Sequence, residues 1–187
     1  MYRRTASLAN NFGYYVGMDE VKRYYLDGNP FGAKGTMNCH PVATIRVEEA
    51  EDGQTMLCQW YNASYETRMV NGVLTPLWVC EKGNADLVKE ADSWKIWHLV
   101  AAVDLVSEAG ADYSEQDPYP DYAKDLAEFG EPTIKQLIHD GTFNWWDDYP
   151  SMPEPYETWS DDISYGPEGW KAPRQKHYGA REGRNYK

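Results

Sequence analysis

Two histidines carry most of the chemistry that this sequence offers. His40 lies in a stretch from about Lys34 to Glu48 that alternates like a strand, with Thr36, Asn38, His40, Val42 and Thr44 on one face and Met37, Cys39, Ala43, Ile45 and Val47 on the other. Pro41 follows His40 and cannot donate a ladder hydrogen bond, so the segment is read as an edge strand or a bulge. A bulge re-aims side chains, which draws attention to His40. His98 sits inside Ser93–Val106, a run without Gly or Pro. An imidazole titrates near neutrality and can move a proton to or from a carbon or a hydroxyl without a cofactor, as elimination and isomerisation require. A histidine on an apolar strand face is equally well explained as a hydrogen-bonded core residue, and for His98 both readings stand. Zinc spacings, phosphate-binding glycine loops and nucleophile elbows are absent from the sequence, so neither a metal nor a cofactor is expected. Asp147-Asp148 and Asp161-Asp162 are adjacent carboxylates that point apart in an extended chain and read as solvated.

The elements that must position these histidines follow from pattern and punctuation. Ser93–Val106 is rich in aromatic and β-branched residues and reads as the central strand. Trp94, Ile96, His98, Val100, Ala102, Asp104 and Val106 fall on one face, and Lys95, Trp97, Leu99, Ala101, Val103 and Leu105 on the other. Only the end of residues 1–16 looks ordered, as a short strand. Met18–Leu26 reads as a helix with Asp19 and Glu20 first and Lys22 and Arg23 later, the order a helix dipole favours. Asp52-Gly53 signals a hairpin between strands. One strand is expected near Thr55–Tyr61 and another from about Val73 to Val88, bulged at Gly83-Asn84. Together these predict an α+β domain with a curved antiparallel sheet.

Composition bounds the partners. A net charge of −12 over 187 residues repels phosphates, which argues against nucleic acid and anionic membranes. Cys39, Cys58 and Cys80 are an odd number without close spacing, which favours a reducing, cytoplasmic setting over a disulfide framework. Apolar runs are too short to cross a bilayer. Residues 107–162 hold 15 Asp/Glu against two Lys, yet they are dense in Trp and Tyr. They read as an ordered acidic wrap that docks aromatics onto the domain or a neighbour, with a helix over Pro132–Ile138. Residues 171–187 carry six Lys/Arg and one Glu and form a basic tail.

Four blocks occur in a particular order: Tyr15-Val16-Gly17-Met18-Asp19-Glu20-Val21-Lys22-Arg23-Tyr24-Tyr25, His40-Pro41-Val42-Ala43-Thr44, Gln59-Trp60-Tyr61, and Trp94-Lys95-Ile96-Trp97-His98-Leu99. Together they resemble the SnoaL-like branch of the nuclear transport factor 2-like superfamily, the scytalone dehydratase and bile-acid 7α-dehydratase type. Pro153-Glu154-Pro155-Tyr156-Glu157-Thr158-Trp159 resembles the tail of some members. The resemblance implies a cone-shaped barrel over residues 1–106 whose sheet encloses an apolar pocket, followed by the wrap at 107–170 and the tail at 171–187. The helical pair that usually opens the family, supplying a Tyr and an Asp, has no counterpart in the 16 residues before Gly17. His40 matches the position of a catalytic histidine in the bile-acid dehydratase type, and His98 a pocket-strand position.

The expected function is therefore a cofactor-free lyase or isomerase acting on a small, cyclic, hydrophobic molecule. His40 and His98 would be catalytic in one cavity, and Tyr14, Trp60, Tyr61, Trp78 and Asp104 would contact the substrate. A non-catalytic ligand-binding or assembly subunit is the alternative. The apolar row Trp97, Leu99, Ala101, Val103 and Leu105 calls for a cover, either a second subunit in a trimer or dimer or the chain's own aromatic tail.

Overall fold

The structure is a computed structural model, and its description covers residues 2–26, 34–112, 114, 129–139 and 152–171. An open, curved eight-stranded sheet dominates, in the order β3-β5-β6-β7-β1-β2-β8 with β4 also paired to β5. The strands are β1 (Tyr2–Asn10), β2 (Gly13–Val16), β3 (Asn38–Cys39), β4 (Ala43–Glu49), β5 (Thr55–Val70), β6 (Val73–Glu90), β7 (Ser93–Glu108) and β8 (Ile134–Lys135). Among the described residues the helices are α1 (Met18–Leu26), a 3-10 turn at Asp161–Ile163, and α2 (Pro167–Lys171).

Three long strands joined by tight turns form the frame. Asn71-Gly72 closes β5 onto β6 with both residues at positive φ (51° and 79°), the Asn-Gly hairpin geometry that matches strand twist. β5 and β6 then pair without a break from Val70↔Val73 to Thr55↔Val88. The bulge expected at Gly83-Asn84 is therefore not there. Gly83 has another purpose: a Cβ on it would fall 2.1 Å from the Trp60 ring, so the missing side chain lets the indole lie against β6.

The register breaks lie on β7 instead. Asp86 pairs with His98 and Leu87 with Ile96, leaving Trp97 as an extra residue; Cys80 pairs with Leu105 and Glu81 with Val103, leaving Asp104 extra. Each bulge resets the alternation of side chains. The two faces read from strict alternation therefore hold only between the bulges: Trp97 lies tilted against Trp159, with centroids 4.5 Å apart, while Leu99 joins a different cluster beside α1. The Asn11 side chain bridges the second bulge by donating to the Val103 carbonyl at 2.8 Å and accepting from the Val103 N–H at 2.7 Å.

The N-terminus corrects two expectations. Residues 2–10 form a strand, and it lies parallel to β7, so the sheet is mixed rather than antiparallel throughout. Small residues of weak strand propensity, Ala6-Ser7-Leu8-Ala9, conceal it in the sequence; what holds them is the second edge of β7, whose N–H and C=O groups need partners. The helix expected over Pro132–Ile138 is instead extended. Ile134 pairs with Tyr14 and Lys135 with Gly13, where a Cβ on Gly13 would collide with the Ile134 carbonyl.

The regular β5/β6 ladder defines two sides. Alternate residues point to opposite faces, so Asn62, Ser64, Glu66 and Glu81 lie on one side and Leu57, Asn84 and Asp86 on the other. The first side carries α1, with Leu8, Tyr15, Val21 and Phe129 as its core. We call it the helix face. The second, the tail face, is covered by the segments 134–139 and 152–166, with Ala9, Tyr14, Leu57, Val100, Ala102, Ile138 and Tyr165 in one cluster. The chain thus supplies its own cover for much of this face. The described residues contain no helix long and apolar enough to cross a membrane.

Candidate functional site

Pro41 interrupts the edge of the sheet. The strand expected over Lys34–Glu48 is split into β3 and β4, both paired with β5, and His40 stands at the break. Freed from the ladder, its imidazole turns to the helix face and lies between two carboxylates. Nε2 is 2.7 Å from Glu66 Oε1, and Nδ1 is 2.9 Å from Glu81 Oε1. The Ser64 hydroxyl is 3.2 Å from the same Nδ1. Asn62 donates to Glu81 Oε1 at 2.7 Å, and Arg68 Nε donates to Glu66 Oε2 at 2.5 Å.

The electrostatics follow from this geometry. Hydrogen bonds to Glu66 and then Glu81 raise the His40 pKa to about 10, against the opposing effect of burial. His40 is therefore a cation at neutral pH. Burial would raise the Glu66 carboxyl, but its bond to His40 and the charge of Arg68 outweigh burial and hold it at about 2. The His40 side chain retains 31% exposure, whereas Glu66 retains 7% and Glu81 11%. The arrangement is a proton donor clamped by carboxylates, with its edge open to solvent. Trp60 lies on the same face, two residues along β5 from Asn62. The described residues contain no group of three His, Cys, Asp or Glu placed to hold a metal ion.

His98 is on the tail face, opposite Asp86 and across the sheet from His40, so the two histidines share no cavity. Its Nδ1 meets the Ser7 hydroxyl at 2.7 Å, its ring stacks on Trp97, and the residue is 3% exposed. Gly166 closes over it so tightly that a Cβ would stand 2.6 Å from the ring. Burial and then the nearby Arg3 charge lower its pKa to about 3, so it is neutral at pH 7. Asp86 is fully buried and accepts from the Ser164 hydroxyl at 2.8 Å and from the Tyr165 N–H at 3.0 and 3.1 Å. Burial nonetheless drives its pKa up to about 7.

The remaining expected contacts also fall outside the His40 site, apart from Trp60. Tyr14 is wholly buried under the tail and donates to the Tyr165 carbonyl at 3.2 Å. Tyr61 donates to Asp104 at 2.6 Å, and Asp104 in turn meets His139 Nε2 at 2.6 Å, making a chain of three side chains on the tail face. Burial, then the Asp104 carboxylate, keeps the Tyr61 phenol well above its usual range. Trp78 is a surface residue whose ring lies tilted against Tyr65, with centroids 4.5 Å apart. Glu66, Glu81, Asp86 and His139 went unnoticed in the sequence. The first was legible: had the strand been extended past Tyr61 to Val70, Asn62, Ser64, Glu66 and Arg68 would have formed one polar row against an uncharged opposite row.

Protein-family models give no match to the chain. The curated proteins give no match either. Among solved structures it is similar to Rv3472, a protein of unknown function from Mycobacterium tuberculosis (14% identity, TM-score 0.45, covering 68% of this chain and 70% of that one). It is also similar to the CamKII hub homology domain of Chlamydomonas reinhardtii (17%, 0.42, 55% and 78%). A third is an NTF2-like protein with a cystatin-like fold from Novosphingobium aromaticivorans (17%, 0.40, 55% and 64%). These are likenesses of fold at low identity, and nothing about activity is taken from them.

Proposed function

We propose that this chain is a cofactor-free proton-transfer domain of the SnoaL-like branch, a lyase or isomerase working on a small cyclic hydroxy-carbonyl compound at the helix face. The observation that carries the reading is the partly exposed His40 imidazolium between Glu66 and Glu81. In an elimination, Glu81 takes the proton from carbon and the C–H electron pair becomes the new double bond. The C–O bond breaks as the His40 N–H protonates the leaving hydroxyl to water. The proton on Glu81 then returns to His40 across their 2.9 Å contact, restoring both groups. Glu66, held at about 2 by its bond to His40 and the charge of Arg68, keeps the imidazole charged and oriented. Ser64 beside Nδ1 supports a hydroxyl approaching that edge, and Trp60 offers an apolar wall. Residues 1–106 would form the catalytic domain and 107–170 its cover. The basic tail beyond residue 171, the pair Asp147-Asp148, and residues 113, 115–128 and 140–151 of the acidic wrap lie outside the described residues.

A panel of cyclic β-hydroxy ketones, followed by the absorbance of the conjugated enone, tests this. For any compound consumed, His40→Gln and Glu81→Gln should each lower kcat by about a hundredfold or more, with His98→Gln unchanged. Turnover that survives His40→Gln overturns the assignment. The second reading, a non-catalytic ligand-binding or assembly domain, is favoured by one observation: the two carboxylates already satisfy His40 without any ligand. A panel without turnover, in which His40→Gln mainly lowers stability, would favour it.

A further inference from the structure

Three consecutive carbonyls, those of residues 129–131, are each held by a side chain from α1 or β2. Arg23 donates to the Phe129 carbonyl at 2.8 Å and to the Glu131 carbonyl at 3.0 Å, and the Tyr15 hydroxyl donates to the Gly130 carbonyl between them at 2.9 Å. The same segment inserts the Phe129 ring among Leu8, Tyr15 and Val21, where it is 8% exposed and stacks on Tyr24 with centroids 4.3 Å apart. The ring also reaches across the hollow of the sheet. Arg68 on β5 lays its guanidinium over Phe129, with Cζ 5.6 Å from the ring centroid, although β7 and β6 lie between β1 and β5. Along the strand order that is three spacings, roughly 14 Å, which the curvature of the sheet and the length of the Arg68 side chain close. Arg68 Nε donates to Glu66 Oε2 at 2.5 Å, while the other oxygen of that carboxylate meets His40 Nε2 at 2.7 Å. Phe129, Arg68, Glu66 and His40 therefore stand in one continuous series of contacts.

We propose that Phe129 is a positioning residue for the His40 acid, acting through Arg68 and Glu66. Its catalytic meaning rests on the His40 reaction proposed above; its hold on the imidazole does not. An arginine near the end of a hairpin samples many rotamers in water. A ring packed against it removes that freedom and part of its solvent, and the attraction between cation and ring face fixes where Nε points. With Oε2 held by Arg68, the Glu66 carboxylate is kept from turning, so Oε1 stays aimed at His40 Nε2. The clasp of Arg23 and Tyr15 on the backbone of 129–131 keeps the ring in place. The chain beyond β7 thus sets the geometry of the acid as well as covering the sheet.

Proton–nitrogen NMR of the full chain at mildly acid pH tests it by following the Arg68 Nε–H and the His40 Nε2–H, which their bonds to Glu66 shield from exchange with water. Phe129→Leu, which keeps an apolar side chain but no ring face, should speed exchange of both protons about tenfold while the amides of β5 and β6 stay protected. Phe129→Tyr, which keeps the ring, should leave both near the wild-type rate. Arg68→Gln should speed the His40 proton by a similar factor, and adding Phe129→Leu to it should do no more, because the effect runs through Arg68. Should Phe129→Leu fail to fold, Arg23→Gln, which frees the Phe129 and Glu131 carbonyls, should produce the same two accelerations. For any compound consumed, Phe129→Leu should lower kcat about tenfold with KM unchanged. Unchanged exchange of the His40 proton in Phe129→Leu overturns the proposal, and so does an equal further acceleration on top of Arg68→Gln. Faster exchange in a chain that consumes none of the compounds supports the positioning and tells against the reaction instead.

Discussion

Asp86→Asn offers the sharpest test of how the tail is held. Asp86 and His98 stand opposite each other on β6 and β7, both sealed by the tail, and burial pushes each toward its neutral form. Their effects on stability have opposite signs. Between about pH 4 and pH 7 folded Asp86 keeps a proton that the unfolded chain has lost, so stability falls as pH rises through this window. Between about pH 3 and 6.5 folded His98 lacks a proton that the unfolded chain holds, so stability rises with pH. Each contributes about 1.4 kcal/mol per pH unit, and they nearly cancel where the windows overlap. Removing one exposes the other. The unfolding free energy of Asp86→Asn minus that of the wild type should climb by about 3 kcal/mol from pH 5 to 7 and then level off. The same difference for His98→Gln should fall over pH 5 to 6.5. Urea titrations followed by tryptophan fluorescence at half-unit steps would measure both, since Trp97 and Trp159 report the junction. Differences that stay constant with pH would refute the claim that the tail keeps these two groups neutral.

Four further outcomes are expected. His40 should titrate by proton NMR with a midpoint near 10, so that its stabilising effect is full below pH 6.5 and lost as pH rises toward 10; a midpoint near 6.5 would show that the clamp does not hold in solution. Glu66→Gln should lower that midpoint by more than one unit. Gly166→Ala should cost about 1–3 kcal/mol by overpacking, and His98→Ala in the same chain should restore part of it, because the three atoms nearest the new Cβ all belong to that ring, at 2.6 Å; additive losses would place the strain elsewhere. His139→Ala should cost about 1–3 kcal/mol by leaving the buried side of Asp104 unpaired, read from the urea midpoint, and an unchanged midpoint would deny the latch.

Local signals were enough for part of this architecture. Helix α1 matches the expected Met18–Leu26, because its dipole order and the Gly17 before it are properties of a short stretch. The long strands and the Asp52-Gly53 turn are written in alternation and turn chemistry, and Pro41 marks the break that releases His40. The α+β class followed from these elements alone.

What the chain's own letters could not decide was which face each side chain meets. Two single-residue bulges, at Trp97 and Asp104, shift the alternation along β7, and a bulge depends on the partner strand's register rather than on local propensity. His98 keeps the face it shares with Val100 and Ala102, but it is sealed there by Gly166, from a distant segment that strand pattern does not connect to it. Residues 2–10 and 134–135 became strands because exposed sheet edges needed hydrogen-bond partners, a demand arising from β7 and β2 rather than from their own composition. The carboxylates around His40 come from positions 26 and 41 residues away, brought together only when β5 and β6 pair beside the Pro41 break. Sequence by itself determined which segments could be strand or helix, because propensity and turn geometry act over a few residues; tertiary structure decided the site, because burial and charge pairing act between segments that pattern alone does not connect.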